Sequence, residues 1–341
     1  MRRRFIFGDY MILIYFTVFV TLAVSFVNGW TDAPNAIASC VSTGCMKLKT
    51  AVAVAAVADF SGAMIMGLFS GKVTETVINI ADFGDNSVVS IAALCAAMCS
   101  VVIWAVSAWK FGIPTSESHA LIAALTGAAV SVCGGFSGID FSEWSKVLKG
   151  LFVSLFFGFF VGYIISKLTL LAVKKTENKA DKIFRYSQIA SCVLMAFMHG
   201  AQDSQKFAGI LGLILSASNI GISENKAVML AVASVAIAAG TATGGERIIK
   251  KVGSDMVKLR IDQGFSADLS GAICLFVSTV SGLPVSTTHT KTSAVIGVGF
   301  ADSIKSVNLK IVREMISAWL FTFPGCGIMG WGLTCIFLKL I

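Results

Sequence analysis

Gly112-Ile-Pro-Thr-Ser-Glu-Ser-His119 returns later in the chain as Gly282-Leu-Pro-Val-Ser-Thr-Thr-His289, with Gly, Pro, Ser and His at the same places. The step from His119 to His289 is half of the 341-residue chain, and a glycine follows each at equal distance, Gly127 and Gly297. A second phrase repeats at nearly the same offset. Asn28-Gly-Trp-Thr-Asp32-Ala-Pro-Asn35 aligns with His199-Gly-Ala-Gln-Asp203-Ser-Gln-Lys206 at Gly and Asp. The chain therefore reads as two halves, each with the same pair of polar interruptions in apolar sequence.

The apolar background sets the class. The chain is 56% hydrophobic and only 13% charged, with mean hydropathy +0.82, whereas about a quarter of a soluble domain is charged. Apolar runs of about 20 residues, enough to cross a bilayer as a helix, recur from end to end. The expectation is an all-α polytopic protein of the cell membrane, plasma or inner, with the lipid bilayer as its surroundings. In such a chain the net charge of +8 belongs to loops and orientation, not to nucleic acid. Nine cysteines without a Cys-x-x-Cys pair read as small packing residues. A homodimer is compatible with the chain, and nothing in it requires one.

Taken in order, the basic start Arg2-Arg3-Arg4 and the run Tyr10 to Val27 lead straight into the first Asp phrase. With no small-residue cleavage site, this reads as a retained helix, not a signal peptide. The segment Glu75 to Val89 holds Glu75, Asp82 and Asp85 and no base, and reads as an acidic loop. Lys174 to Ser187 is a basic, cytoplasmic linker between a first membrane repeat, 1–173, and a second, 188–341. Glu246 to Arg260 is a second basic loop, and moving it back by the offset between Asp32 and Asp203 lands on the acidic one. Basic loops favour the cytoplasm, so matched loops of opposite charge imply opposite sidedness. That is the mark of two inverted-topology repeats, with broken or re-entrant helices meeting at a central substrate site. The N-terminal Arg triplet matches the basic linker and disagrees, which leaves the side of the N-terminus open.

The phrases carry chemistry. A Gly and Pro break in an apolar helix frees backbone groups that lipid cannot satisfy. A helix restarting after the break aims its N–H groups and positive dipole end into the gap. Thr115, Ser116 and Ser118 in one copy, and Ser286, Thr287 and Thr288 in the other, add hydroxyl donors there. Such neutral donors suit a small tetrahedral oxyanion clasped from both halves; Ser/Thr back-bonding around a kink is the structural alternative. Asp32 and Asp203 complete the picture, since an intramembrane carboxylate costs about 2.5–3.5 kcal/mol on insertion scales and normally serves a site. The glycine preceding each permits unwinding, so carbonyl oxygens could join the carboxylates around Na⁺, or the carboxylates could take a proton. His119 and His289 read as hydrogen-bonding across the breaks or relaying a proton. The three histidines, His199 included, would need a fourth ligand to hold zinc.

These phrases resemble the signatures of the PiT-type inorganic phosphate transporter family, G-x-N-D-x-x-N-A and G-x-P-V-S-T-T-H. The second is matched without exception by residues 282–289. The resemblance spans essentially the whole chain. It implies symport of inorganic phosphate with Na⁺ or H⁺, with no cofactor and no enzymatic activity. By resemblance, the phosphate-binding set includes Asn35 with the hydroxyls above, and the cation-coupling set is Asp32, Asp203, Thr31 and Gln202. Two further acids match family positions, Asp59 and Asp268; moving Asp268 back by the offset between the two histidines lands on Met98.

This chain departs from the pattern at several places. The first Asn of the phrase is Thr31 in one half and Gln202 in the other; the second is kept as Asn35 but becomes Lys206; Glu117 stands where Thr is usual. Lys206 reads as a fixed positive charge standing in for one coupling cation beside Asp203, against the alternative of a lysine snorkelling to an interface. Glu117 either repels a dianion or carries a coupling proton. An intramembrane hydrolase built from Ser, His and Asp fits poorly, because every element is mirrored. A passive anion channel would need no paired Asp. A sulfate or other oxyanion permease of the same fold remains the nearest alternative, although a carboxylate acceptor favours a protonated phosphate over sulfate.

Overall fold

The computed structural model describes residues 7–111, 115–176, 180–218, 225–243 and 245–341. The Arg2–Arg4 triplet, the opening Gly112-Ile-Pro114 of the first Pro-Ser-His phrase and residues 177–179 of the expected linker lie outside them. The described chain is built from helices: α1 Phe7–Thr31, α2 Ala33–Ser42, α3 Leu48–Phe69, α4 Lys72–Asn79, α5 Ser87–Lys110, α6 Glu117–Cys133, α7 Phe141–Phe152, α8 Gly158–Thr176, α9 Ala180–Ser218, α10 Lys226–Ala242, α11 Glu246–Lys250, α12 Ile261–Val280, α13 Thr287–Asp302 and α14 Leu309–Leu340. Among them five spans are long and apolar enough to cross a membrane, or six if Lys226–Ala242 and Glu246–Asp255 form one bent span. This is a multi-pass membrane protein.

Offset by half the chain, the two repeats correspond element for element. The α1–α2 pair matches α9, α3 matches α10, α4 matches α11, α5 matches α12, α6 matches α13, and the α7–α8 pair matches α14. The two halves are not side-by-side domains. The helix α10 lies along α1 and α3 along α9, while α14 lies along α6 and α8 along α13. Each half thus completes its packing with helices of the other, which carries the polar phrases of both into one centre.

Glycine makes these crossings close. A Cβ on Gly200 would stand 1.9 Å from the Asp59 carbonyl oxygen, and one on Gly29 would stand 2.0 Å from that of Ile237. Gly127 meets the Gly327 carbonyl at 2.0 Å and Gly297 that of Phe159 at 2.1 Å in the same sense. In lipid, where apolar surface offers no drive for helix association, such backbone proximity supplies the packing. This corrects one expectation: the glycines before Asp32 and Asp203 seat neighbouring helices and do not unwind their own. The helix α9 runs unbroken through Gly200 and Asp203, and the first phrase is interrupted only at Asp32, between α1 and α2, within the single span Gly8–Ser42.

Two expected loops are also partly helical. Lys72–Asn79 forms α4, with Glu75 in its first turn, inside the acidic segment's boundary. The basic segment begins as α11 and passes into a π-turn over Lys251–Asp255, with Ile248, Ile249 and Val252 buried beneath its charges. The linker is short, because α8 continues to Thr176 and α9 starts at Ala180. Of the nine cysteines, all unpaired, six are buried as packing residues.

Gly200→Ala forces α3 away from α9 and should lower stability by about 1–3 kcal/mol, the usual cost of overpacking. Gly332→Ala, where a Cβ meets nothing within 4 Å, should stay within about 1 kcal/mol of wild type. Thermal unfolding of the purified protein in detergent compares them.

Candidate functional site

The two Pro-Ser-His phrases become helix starts deep in the protein. Ser116 caps α6 and Ser286 caps α13, each accepting the backbone N–H of its histidine, His119 or His289, at 3.2 Å. The first turns of both helices are buried. Before α13 the chain turns at Gly282, whose φ of 71° suits glycine. Gln202 secures that turn: its amide donates to the Leu283 carbonyl at 2.8 Å and accepts from Thr279 at 2.6 Å. The side chain of Gln202 therefore holds the break and does not turn toward Asp203.

Asp32 is the meeting point of the two halves. It occupies the N-cap position of α2 without capping it, so its carboxylate is free to face α13. Thr287 donates to it at 2.9 Å, Thr288 donates through its hydroxyl, and Asn35 donates at 3.0 Å. Asn35 spends its second N–H on Thr288, at 2.9 Å. Three of the donors expected to hold an oxyanion thus converge on one buried carboxylate.

The second half keeps part of this arrangement, with Lys206 in place of Asn35 and Glu117 in place of Thr287. Lys206 stands where Asn35 stands and contacts the matching groups: Asp203 at 2.6 Å and Ser118, the counterpart of Thr288, at 2.6 Å. Its third N–H goes to the Val285 carbonyl at 2.7 Å. Lys206 is 1% exposed, so the snorkelling alternative falls. Its ammonium has three oxygen partners, as a buried charge requires.

Between the two phrases, Asn28 donates to Asp203 at 3.0 Å. At the matching place His199 lies 3.0 Å from Asp59 through Nδ1 and 3.5 Å from Asp203 through Nε2. Thr241 donates to the other Asp59 oxygen at 2.8 Å. Ligand atoms of Asp32, His199 and Asp203 lie within 4.8 Å of one another, all buried, so the two carboxylates, each expected to face a coupling cation, sit in one cluster. Oxygen-rich with one imidazole, this set suits a small cation passing through as cargo better than a tetrahedral zinc site, which takes four ligands.

Other expected residues take more particular places. Glu117 receives the Thr31 hydroxyl at 2.7 Å, while its second oxygen is buried without a partner among the described residues. Thr31 therefore serves Glu117 and not Asp32. Thr115 is buried and lines a cavity of about 880 Å³ together with Lys251, Lys310, Arg313 and Glu314, of which Lys251 and Glu314 pair at 3.4 Å. The His119 and His289 rings face each other with centroids 4.5 Å apart, packed against Phe323 and Trp319. None of their ring nitrogens has a hydrogen-bond partner among the described residues, so the bond across the breaks is not made. Asp268 lies apart from this centre, against Ser39 and Lys291.

Sequence reasoning left out Asn28, His199, Ser39, Thr241 and Lys291 as site residues. Lys291 left a signal: it interrupts an apolar helix, and its counterpart in the first half is Leu121. Ser39 and Thr241 left none, since their importance lies in partners more than half the chain away.

Comparison with known proteins accords with this architecture. The model of the phosphate transporter family matches residues 28–330. A probable low-affinity inorganic phosphate transporter of Bacillus subtilis (strain 168) is 37% identical over 324 residues, covering 94% of this chain and 96% of its own. One from Rhizobium meliloti (strain 1021) is 36% identical over 313 residues, covering 91% and 92%. A solved structure of a sodium-dependent phosphate transporter superposes with a TM-score of 0.80 at 22% identity, covering 97% of this chain and 100% of that one.

Lys206→Leu strips Asp203, Ser118 and the Val285 carbonyl of their shared donor and should cost about 3–5 kcal/mol, as broken buried pairs do. Lys206→Asn copies the Asn35 arrangement of the first half and should cost distinctly less. Thermal midpoints in detergent rank the two.

Proposed function

The chain belongs to the phosphate transporter family, whose members are transporters and not enzymes, and we propose that it is a secondary active symporter of inorganic phosphate driven by Na⁺ or H⁺. The observation carrying this reading is the convergence of Thr287, Thr288 and Asn35 on Asp32. These donors are the ones an oxyanion needs, and the carboxylate competes with it for them. A Na⁺ or proton at Asp32, beside Asp203 and His199, withdraws that competition. The hydroxyls and the Asn35 amide then turn to phosphate, joined by Ser118, Ser116, Thr115 and Ser286 at the helix starts. Coupling follows from chemistry: without the cation the anion meets a carboxylate, and with it the anion meets donors.

The sodium-dependent relative supports Na⁺ as one candidate ion; Glu117, with one oxygen unpartnered among the described residues, supports a proton as the other. Lys206 acts as a tethered cation at Asp203, so fewer mobile cations accompany each phosphate. The repeats are inverted across the membrane and exchange open sides about this centre. In the cavity beside Thr115, Lys310 and Arg313 are bases beyond the Lys251–Glu314 pair, and their charge attracts the anion before it binds.

Proteoliposomes given a Na⁺ gradient and then an H⁺ gradient, with sulfate as competitor, test the reading. Phosphate should accumulate under one of them and resist sulfate; no uptake under either would sink it, and stronger uptake of sulfate would reassign the substrate. Asp32→Asn should abolish gradient-driven accumulation and retain phosphate exchange, because the amide is permanently neutral. Counting charges moved per phosphate should show one more cation imported by Lys206→Asn than by wild type; an unchanged count would remove the tethered-cation role.

A further inference from the structure

A second buried lysine forms a charged cluster outside the site described above. The Lys291 ammonium contacts an Asp268 carboxylate oxygen and stands 2.9 Å from the Ser39 hydroxyl. Ser39 in turn donates to the same Asp268 oxygen at 2.5 Å. All three are buried, Lys291 and Asp268 at 0% exposure, and the second Asp268 oxygen has no partner among the described residues. The cluster joins both halves, since Ser39 lies on α2, Asp268 on α12 and Lys291 on α13.

The repeat supplies the control that decides its meaning. In the opposite half, Ser39, Asp268 and Lys291 correspond to Ile210, Met98 and Leu121. Those three are fully buried in a single apolar core cluster. The same architecture is therefore closed by plain hydrocarbon in one half and by an ion pair in the other. Buried ion pairs gain little over well-packed apolar residues, so holding the helices together does not account for the charges.

Their position points to charge coupling. On α2, Asp32, Asn35 and Ser39 follow at spacings of three and four residues, and on α13 Thr287 and Thr288 precede Lys291 by four and three. Such spacings share one helix face. The two helices are thus laced by Thr287 and Thr288 to Asp32, Thr288 to Asn35, and Lys291 to Ser39. The Lys291 contact continues, one turn further on, the line that clasps the central carboxylate. Its chemistry is that of Lys206, an ammonium on an aspartate and a hydroxyl.

We propose that Asp268 and Ser39 form an off-centre monovalent-cation site that Lys291 occupies with a tethered ammonium. Replacing Lys291 by a neutral side chain would open this site to Na⁺, with Asp268 and Ser39 as oxygen ligands. The chain then carries two built-in cations, at Asp203 and at Asp268, and each lowers its requirement for a mobile one. Only the transport readout below rests on the symport reading.

The test uses full-length wild type, Lys291→Met, Lys291→Gln and the double variant Asp268→Met with Lys291→Leu, which copies the Met98 and Leu121 of the other half. In detergent, Na⁺ over K⁺ should raise the thermal midpoint of the single variants more than that of wild type or the double variant. In proteoliposomes the single variants should show a several-fold larger Na⁺-to-K⁺ ratio of initial phosphate uptake than wild type. Equal Na⁺ responses in all four proteins would overturn the proposal. So would loss of both single variants in Na⁺ buffer while the double variant folds, because a site that accepts Na⁺ would have replaced the missing charge. Failure of the double variant to fold would make the pair structural, and would also overturn it. Should wild type move no phosphate at all, the symport reading falls while the Na⁺-dependent midpoints still decide the role of Lys291.

Discussion

A carboxylate inside an apolar bilayer needs partners, and Asp32 finds two of its three in the opposite half of the chain. Thr287 and Thr288 reach it from α13, across most of the sequence. That requirement explains several features at once. At the interruption between α1 and α2 the Asp32 side chain does not cap α2 and is taken up by α13 instead. The restart of α13 at Ser286 places its first-turn hydroxyls within reach. The exchange of helices between halves brings these two ends together. Were each half to pack on itself, Asp203 would keep Lys206, but Asp32 would lose the α13 hydroxyls that reach it and remain a charge in lipid with Asn35 alone.

The departures from symmetry are concentrated on charge. Backbone elements correspond nearly throughout, yet Asn35 faces Lys206, Thr287 faces Glu117, and the Ser39–Asp268–Lys291 cluster faces three apolar residues. Duplication supplies two equivalent frames, whereas the proposed symport of an anion with cations asks for a particular sum of charges in the protein interior. Placing fixed ammonium groups in one half alters that sum without altering the helices. Burying five acids and two lysines among the described residues is costly for stability, and a function that moves charge gives a reason to keep them.

Glycine and histidine show where residue-level reading reached its limit. A glycine beside an intramembrane aspartate is chemically consistent with unwinding and with close helix contact. Only the neighbour decides, and at Gly200 the neighbour is the Asp59 backbone. Two histidines at helix starts suggest polar partners, yet the rings of His119 and His289 pack on one another and on Phe323 and Trp319. Gln202 and Thr31 looked like cation ligands by position, but their partners are a backbone turn and Glu117.

Composition and duplication alone determined the membrane class, the two matched halves, the helix starts at the Pro-Ser-His phrases and the placing of Asp32 and Asp203 within apolar sequence. These follow from local properties: hydropathy along the chain, proline's missing donor, and the cost of a charge in hydrocarbon. The tertiary structure decided which of those groups meet. It buried Lys206 instead of letting it reach an interface, gave Asp32 the hydroxyls of the other half, and paired Asp268 with a lysine that has no counterpart in the first repeat. Such pairings depend on helices crossing between halves at glycine-close distance, and no local pattern encodes which carbonyl or hydroxyl lies on the far side of that crossing.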